Sequence, residues 1–272
     1  MPQISWERSA AAASRLVVLD SAGSTNSELA RRAQEEGAAD WPHGSALITL
    51  DQTAGRGRLG REWRAPAGGS LAASVLLRTG EAPAAALGWL PLLAGLAMAQ
   101  ALEAPAAPAR VVLKWPNDVL LAAAEGAQEE RKVCGILAEA VAPGVIVLGA
   151  GVNLTLSAAE LPTPQATSLL LASGAVPDAD ELLAGFLSGL LARLERLARA
   201  DWDAQAAGLH REAGGGIATI GRRVRLVIPG GGAALTGRAT GLDETGRLRV
   251  AVDPSGATQA FAAGDVTHLR YE

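Results

Sequence analysis

The hydrophobic positions of this chain follow two different spacings, which predict both strands and helices. Leucines spaced three and four residues apart over residues 178–199 indicate an amphipathic helix that packs on a core. Short apolar runs are typical of buried strands. Because helices and strands do not alternate regularly, the pattern favours an α+β domain over a doubly wound α/β fold. The other predicted helices cover residues 25–36 and 84–103, and the predicted strands cover residues 14–20, 46–50, 70–78, 110–114, 133–141 and 145–152.

The C-terminal part of the chain has another pattern and predicts a second, smaller domain. After the three consecutive glycines 214–216, short alternating runs are separated by Gly, Asp and Pro. Several short strands at this spacing are typical of a small β-barrel. We therefore expect a main domain over residues 1–213 and a barrel domain over residues 214–272. The predicted barrel strands cover residues 223–228, 235–240, 247–252, 258–261 and 266–269.

Composition narrows the class of protein. Hydrophobic residues make up 49% of the 272 residues, so a core can form without disulfides or a structural metal. A net charge of −4 and a sequence pI near 5.5 argue against a dedicated nucleic-acid-binding protein, which usually carries a basic surplus. The single cysteine, Cys134, excludes an internal disulfide and a zinc site built from several cysteines.

The most apolar stretch, residues 84–102, has the length of a membrane span but is better explained as a buried helix. Gly88, Pro91 and Gln100 interrupt it, and alanines supply much of its apolar character. The N-terminus has no basic segment followed by an apolar run, as a secretory signal would have. We therefore expect a cytoplasmic protein that does not contact a membrane.

Lysine and asparagine are scarce, and their few positions are informative. The chain has 22 arginines but two lysines and three asparagines. Lysine is normally among the commonest residues, so arginine stands at most positions where lysine could occur. Arginine cannot replace a lysine where a compact ammonium is required. The remaining residues are therefore candidates for chemistry, and all five fall in the motifs below: Asn26, Lys114, Asn117, Lys132 and Asn153.

The segment Q-T-A-G-R-G-R-L-G-R-E-W (52–63) is the strongest single motif. Its G-x-G-x-x-G spacing matches the dinucleotide-binding fingerprint, but that fingerprint must open a helix. Pro66 and two glycines follow too closely for a helix to form. The segment instead predicts a flexible loop whose arginines can bind phosphate or carboxylate and close over a polyphosphate. A solvated surface loop and a nucleic-acid tether are the alternatives. The three arginines are Arg56, Arg58 and Arg61.

Three further motifs lie at strand ends. K-W-P-N-D (114–118) combines a lysine, an amide and a carboxylate that can recognise a nucleotide and hold hydrated magnesium. R-K-V-C-G-I-L (131–137) places Lys132 at the start of a strand, and G-A-G-V-N (149–153) ends the next strand with Asn153. Each motif alone could be an ordinary turn or a solvated strand end. Cys134 is expected to be a small buried residue, because no histidine lies nearby in the sequence.

Together with S-T-N (24–26), these segments resemble those of biotin protein ligases, and they occur in that family's order. The resemblance covers roughly residues 15–272, including the C-terminal barrel. It implies an α+β catalytic domain with a mixed sheet flanked by helices, related to class II aminoacyl-tRNA synthetases and lipoate ligases. It also implies a two-step reaction that uses biotin, ATP and Mg²⁺. Biotin is first activated as biotinyl-adenylate, and a lysine of a biotin carboxyl carrier protein then attacks it.

The resemblance also implies roles for individual residues. Lys132, Arg56 and Arg58 would be catalytic, with Lys132 at the biotin carboxylate and the arginines closing the loop over the adenylate. Asp118 is the expected magnesium ligand. The implied biotin-binding residues are Ser24, Thr25, Asn26, Gln52, Gly55, Arg56, Gly57, Arg58, Lys132 and Gly135. The implied ATP- or adenylate-binding residues are Arg58, Arg61, Trp63, Lys114, Asn117, Asp118 and Asn153.

Two features depart from the family pattern. About fourteen residues precede the first predicted strand, too few for the helix-turn-helix of family members that act as repressors. We therefore expect an enzyme that binds no nucleic acid. The connection between Asp118 and Lys132 is longer than expected, which leaves the conformation of residues 122–131 open. The oligomeric state is also open, with a homodimer among the options.

Other functions remain as alternatives at this point. A lipoate or octanoate ligase would share the fold, but we would not expect it to carry the G-R-G-R-x-G-R loop. A nicotinamide oxidoreductase would depend on the G-x-G-x-x-G match. A non-catalytic biotin sensor would bind biotin without releasing pyrophosphate.

Overall fold

The structure, a computed structural model, describes residues 4–122, 130–175, 178–228 and 233–269, which form two main sheets and flanking helices. The strands are β1 (Arg15–Leu19), β2 (Ser45–Thr49), β3 (Gly55–Arg56), β4 (Glu62–Trp63), β5 (Ser70–Arg78), β6 (Arg110–Lys114), β7 (Asp118–Ala122), β8 (Glu130–Ala142), β9 (Val145–Asn153), β10 (Arg223–Val227), β11 (Leu235–Leu242), β12 (Leu248–Val252), β13 (Thr258–Phe261) and β14 (Asp265–His268). The α-helices are α1 (Glu7–Ala12), α2 (Thr25–Glu35), α3 (Gly37–Asp40), α4 (Leu90–Leu102), α5 (Leu169–Ser173), α6 (Ala179–Arg199) and α7 (Leu209–Gly216).

The larger sheet is mixed and has seven strands in the order β1-β2-β5-β9-β8-β7-β6. β1 and β2 are parallel, and every other neighbouring pair is antiparallel. β5 lies inside the sheet, between β2 and β9, and is buried along nearly its whole length, which explains its continuous apolar sequence. The predicted mixed sheet with flanking helices is therefore confirmed.

The helices cover both faces of this sheet. α4 and α6 pack against each other over one face, with Phe186 and Leu190 of α6 fully buried in the shared core. α2 covers the other face, where Leu29 packs with Leu47 of β2 and Leu76 of β5. α2 thus packs on β2 and β5, and its N-terminus carries the S-T-N motif.

The apolar segment 84–102 forms a 3-10 turn, Ala84–Trp89, followed by α4. Pro91 lies in the first turn of α4, where the N–H that proline lacks would have no partner within the helix. This segment is long and apolar enough to cross a membrane, and it is the one described helix that passes that test. Most of α4 is nevertheless buried inside the protein, in agreement with the prediction of a core helix.

Five C-terminal strands form a separate antiparallel sheet in the order β13-β12-β11-β10-β14. This finding confirms a second, small β domain. The glycines 214–216, which we expected to mark a break in composition between the domains, lie in the last turn of α7, because Leu209 and Ala213 anchor that helix in the core. The domain boundary at residue 214 stays a prediction.

The two sheets are held together by tryptophans of the main domain. Trp89 and Trp115 are almost fully buried, and each donates its indole N–H to the turn between β11 and β12. The acceptors are the carbonyl oxygens of Glu244 at 2.9 Å and Gly246 at 3.1 Å. The C-terminal sheet is therefore fixed directly beside the K-W-P-N-D motif.

One predicted connection is shorter than expected. β8 begins at Glu130, whereas the sequence predicted its start at residue 133. Its first residue, Glu130, pairs with Ala122 at the end of β7. Residues 123–129 of the connection lie outside the described residues.

Candidate functional site

A cavity of about 760 Å³ opens between the larger sheet, the segment 52–63 and the C-terminal sheet. It gathers residues from motifs that lie far apart in the sequence. Among the predicted site residues, Gly55 does not line it: a side chain there would meet Gln52 and the carbonyl of Trp63, so this glycine serves local packing. The predicted residues that line the cavity are Ser24, Thr25, Asn26, Gln52, Arg56, Gly57, Arg58, Arg61, Trp63, Lys114, Asn117, Asp118, Lys132, Gly135 and Asn153.

A buried polar network forms one end of the cavity, at the start of α2. Ser24 caps the helix, and the following Thr25 donates its backbone N–H to Gln52 Oε1 at 2.9 Å. The hydroxyl of Ser74, on β5, donates to Asn26 Oδ1 at 2.6 Å and lies 2.8 Å from Thr25 Oγ1. Thr25, Asn26 and Ser74 are all buried, so these hydrogen bonds fix neutral donors and acceptors in one arrangement.

The network continues to Glu139, a residue that the sequence analysis did not select. Asn26 Nδ2 donates to Glu139 Oε2 at 2.8 Å, and Arg56 donates to the same oxygen at 3.0 Å. Arg56 also donates to Ser27 Oγ at 3.0 Å. A lone carboxylate within an apolar strand was a signal that could have pointed to Glu139. Its position shows that Arg56 is tied to the polar end of the cavity.

Glycines on the strands leave room for larger side chains in the cavity. A Cβ on Gly149 would collide with Asn26 Oδ1, and a Cβ on Gly151 would lie 2.6 Å from the Trp63 ring. A Cβ on Gly135 would lie 2.9 Å from Lys132 Nζ. Because real Cβ atoms do not approach neighbours so closely, these positions accept glycine alone without movement of the site.

Trp63 brings an unpaired donor to the cavity. Its Nε1 is buried and has no hydrogen-bond partner among the residues that the structure describes. Buried polar groups normally have a partner, so this indole N–H is available to a bound ligand. Lys132 Nζ lies 5.7 Å from the centroid of the same ring, which places the ammonium and the indole on one side of the cavity.

Lys132 and Asp118 meet across the hairpin formed by β7 and β8. Lys132 Nζ lies 2.6 Å from Asp118 Oδ1, and a bulge near Leu120 shifts the register between the two strands. Asp118 Oδ1 is buried and accepts no well-directed hydrogen bond from the described residues. The carboxylate can therefore take a further cationic ligand. No group of three or more His, Cys, Asp or Glu among the described residues could hold a metal by itself.

The three arginines of the segment 52–63 contact three different elements. Arg56 is paired with Glu139 of β8, Arg58 donates to Asn117 Oδ1 at 2.8 Å, and Arg61 is paired with Asp265 of β14. Burial lowers the pKa of the Arg58 guanidinium below its usual value, against the opposing effect of nearby carboxylates. The segment therefore crosses the cavity from β8 to the C-terminal sheet.

A tight turn shapes the tip of this segment. β3 and β4 have two residues each and form a hairpin. In the turn between them, residues 57–61, Leu59 and Gly60 have φ values of 58° and 73°. Glycine adopts this left-handed conformation without steric cost, whereas it is uncommon for leucine. Leu59 is 54% exposed, so its side chain points away from the core.

Asparagine side chains hold the ends of two strands. Asn117 Nδ2 donates to the carbonyl oxygen of Ile136 at 2.8 Å, and Asn153 Nδ2 donates to that of Thr167 at 2.9 Å.

Cys134 is fully buried, and burial raises the pKa of its thiol to about 12. The expectation of a buried cysteine is thus confirmed, and the raised pKa disfavours the thiolate at neutral pH.

The C-terminal part of the chain contributes residues that no motif indicated. Arg222, Asp265 and His268 line the cavity together with Glu130, the first residue of β8. Glu130 and Arg222 are 92 positions apart, and each of the four residues alone resembles an ordinary surface residue in the sequence. No local sequence signal could have identified them as a group.

Comparisons with known proteins find relatives for both parts of the chain. Residues 21–155 match the Biotin/lipoate A/B protein ligase family, and residues 219–269 match the Biotin protein ligase C terminal domain. The biotin--[acetyl-CoA-carboxylase] ligase of Mycobacterium tuberculosis is 42% identical over 258 residues, which cover 94% of this chain and 90% of that protein. The bifunctional ligase/repressor BirA of Escherichia coli is 40% identical over 121 residues, covering 43% of this chain and 35% of BirA.

A solved structure gives the same result for the fold. The biotin protein ligase from Aquifex aeolicus in complex with biotin and ATP superposes with a TM-score of 0.72 at 28% sequence identity. The match covers 95% of this chain and all of that one.

Proposed function

This chain belongs to the biotin protein ligase family, and we propose that the cavity described above carries out both steps of the family's reaction. In the first step, the biotin carboxylate attacks the α-phosphorus of ATP and displaces pyrophosphate. In the second step, the ε-amine of a carrier-protein lysine attacks the biotinyl-adenylate carbonyl; an amide forms and AMP leaves. The observation that carries this proposal is the convergence of 15 of the 16 predicted site residues on one cavity.

Cationic side chains overcome the repulsion between the two anionic reactants. Lys132 and Arg58 both line the cavity, one on β8 and one on the segment 52–63. We propose that Lys132 contacts the biotin carboxylate and the reacting phosphate. Fixed charges that stabilise the transition state are a major source of catalysis.

The buried polar network at the start of α2 is the proposed site for the ureido ring of biotin. That ring carries two N–H donors and one carbonyl acceptor, and it is uncharged. Thr25, Asn26 and Gln52 offer neutral hydrogen-bonding groups held by one another. A site prearranged in this way rejects a ligand that leaves its buried groups unpaired. This property favours biotin over lipoate, which has no ureido group.

The other end of the cavity is the proposed nucleotide site. Its proposed residues are Trp63, whose N–H has no partner among the described residues, the K-W-P-N-D turn, and Asn153 at the end of β9, all of which line the cavity. Asp118 can hold Mg²⁺ together with phosphate oxygens, since its Oδ1 is buried and lacks a well-directed donor. Bound Mg²⁺ would supply positive charge to the triphosphate. Lys132 Nζ, 2.6 Å from Asp118 Oδ1, pairs with the same carboxylate.

We further propose that the acceptor is the biotin carboxyl carrier protein or domain of a carboxylase. The name of the Mycobacterium tuberculosis relative specifies acetyl-CoA carboxylase as the protein on which that enzyme acts, which supports this choice. The reaction is proposed to take place in the cytoplasm, where ATP is available.

Pyrophosphate release from MgATP tests the proposal. We expect release with biotin, and none with lipoate or without an acid. Release with lipoate alone would instead indicate a lipoate ligase. Tight binding of biotin without pyrophosphate release would indicate a biotin sensor. Adding a carboxyl carrier domain then tests the second step, by the mass increase of that domain.

A further inference from the structure

An ion pair joins the C-terminal domain to the strand that carries Lys132. Arg222, just before β10, donates through both terminal nitrogens to the two carboxylate oxygens of Glu130, at 2.6 and 2.7 Å. Glu130 is the first residue of β8, and its side chain is 13% exposed. Such paired hydrogen bonds fix the relative orientation of both groups. Arg222 therefore anchors the beginning of β8 from outside the main domain.

His268 completes the contact and extends it to the K-W-P-N-D turn. Its Nδ1 lies 3.3 Å from Glu130 Oε2, and its Nε2 lies 3.0 Å from Thr219 Oγ1. Thr219 also accepts a hydrogen bond from the backbone N–H of Trp115 at 3.0 Å. Arg222 Nη1 also lies 3.1 Å from His268 Nδ1, so the imidazole contacts both members of the ion pair. Through this chain, the C-terminal domain holds both β8 and the turn before β7.

The position of Lys132 depends on the beginning of β8. Glu130 and Lys132 are two residues apart on one strand, so their side chains leave the same face of the sheet. Lys132 N donates to the carbonyl oxygen of Gln165 at 2.7 Å, and its ammonium lies 2.6 Å from Asp118. Strand ends fray where nothing holds them. A loose strand end here would displace the ammonium from its site.

We propose that Arg222 is a positioning residue: its ion pair with Glu130 fixes the first residues of β8 and thereby the ammonium of Lys132. The hydrogen bond from His268 and the Arg222 guanidinium lower the pKa of Glu130 to about 2, so this carboxylate is charged at neutral pH. The effect of Arg222 on turnover rests on the proposed function. The effect of Arg222 on the beginning of β8 is independent of the proposed function.

Because the chain has two lysines, the hydrogen exchange of each lysine amide can be followed separately in the whole protein. Protein labelled with ¹⁵N-lysine has two lysine amide signals, from Lys114 and Lys132, and Lys132→Arg assigns them. We expect Arg222→Gln to speed hydrogen exchange of the Lys132 amide by about tenfold, because the strand end opens more often. The Lys114 amide, in β6, borders the turn that Thr219 holds, so the reference is the Lys132 exchange rate in the unsubstituted protein.

Arg223→Gln is the matched control. Arg223 is the next residue, carries the same charge and pairs with Asp253 inside the C-terminal domain. We expect this variant to leave the exchange of Lys132 and the rate of pyrophosphate release within about twofold of the original protein, as is usual for exposed pairs. Arg222→Gln should lower kcat for biotin-dependent pyrophosphate release by about tenfold.

The outcomes separate positioning from simple stabilisation. Unchanged Lys132 exchange and unchanged kcat in Arg222→Gln, with only a lower melting temperature, would overturn the proposal. If Arg222→Gln does not fold, Arg222→Lys replaces it; this variant keeps the charge but loses the paired geometry, and it should show the same changes to a smaller degree. If the original protein releases no pyrophosphate with biotin, the proposed function fails, and the exchange of Lys132 still decides the role of Arg222.

Discussion

The two walls of the cavity are built on different principles. The arginine loop (residues 52–63) places its charges through side-chain contacts to other elements, and Arg56 and Arg61 remain more than half exposed. The strand wall, formed by the start of α2 and by β5, β8 and β9, holds its polar groups in a buried network. The loop can therefore adjust its charges to a ligand, whereas the strand wall presents a fixed arrangement.

This difference predicts where the protein is sensitive to change. An exposed ion pair contributes about 0.2–1 kcal/mol, because water competes for both groups. A buried polar group that loses its partner costs about 1–3 kcal/mol. Substitutions in the strand wall should consequently affect catalysis and binding more than comparable substitutions in the arginine loop.

The largest effect is expected for Lys132→Arg, in the strand wall. The planar guanidinium cannot place its charge where the compact ammonium lies, so a charge-assisted contact worth about 1.5–3 kcal/mol is lost. Biotin-dependent pyrophosphate release should fall about tenfold to a hundredfold. Circular dichroism and thermal melting serve as controls for folding. A rate close to that of the original protein would show that the scarcity of lysine had been misinterpreted.

The next effect concerns the space beside Asn26. Gly149→Ala introduces a methyl group that collides with the buried amide, and overpacking of this kind costs about 1–3 kcal/mol. We expect the Kd for biotin, measured by calorimetry, to rise about tenfold. Gly214→Ala is the matched control, because that glycine is helical and has no neighbouring atom within 4 Å. Equal changes in the Kd for biotin in the two variants would contradict the interpretation that the strand wall is a fixed arrangement.

A smaller effect is expected in the arginine loop. Arg61→Gln removes the exposed ion pair with Asp265, so the KM for ATP should rise less than about fivefold. Arg64→Gln, which removes an exposed pair with Glu62, is the control and should change the KM less. An effect of Arg61→Gln as large as that of Lys132→Arg would remove the distinction between the two walls.

The smallest effect concerns stability, through the helix that carries Asn26. Hydrogen bonds from Arg31 and Arg32 lower the pKa of Glu28 from 4.5 to about 2. Because the pKa is lower in the folded state, this contribution is complete above pH 4.5 and is lost as the pH falls toward 2.

Denaturation in urea can measure this contribution. The free energy of unfolding is compared between about pH 6 and pH 3. We expect it to fall less in Glu28→Gln than in the original protein. In the control Glu7→Gln, at an exposed position, we expect it to fall by the same amount as in the original protein. Parallel curves for Glu28→Gln and the original protein would contradict the assignment.

Most of the fold could be predicted because its signals are local. The strands 70–78, 110–114 and 258–261 have the bounds that their apolar runs and flanking turn residues predict. The glycines 214–216 are the instructive exception. Their intrinsic preference is against a helix, but packing of Leu209 and Ala213 in the core outweighs it.

The sequence by itself also predicted which residues gather at the site. Composition singled out the five scarce lysines and asparagines as candidates for chemistry, and all five line one cavity. Only the tertiary structure decided how these groups are held. Glu139 meets Arg56 across 83 positions of the chain, and Glu130 meets Arg222 across 92. Such pairs depend on the path of the whole backbone, because two charges attract according to their distance in space and not their separation in sequence.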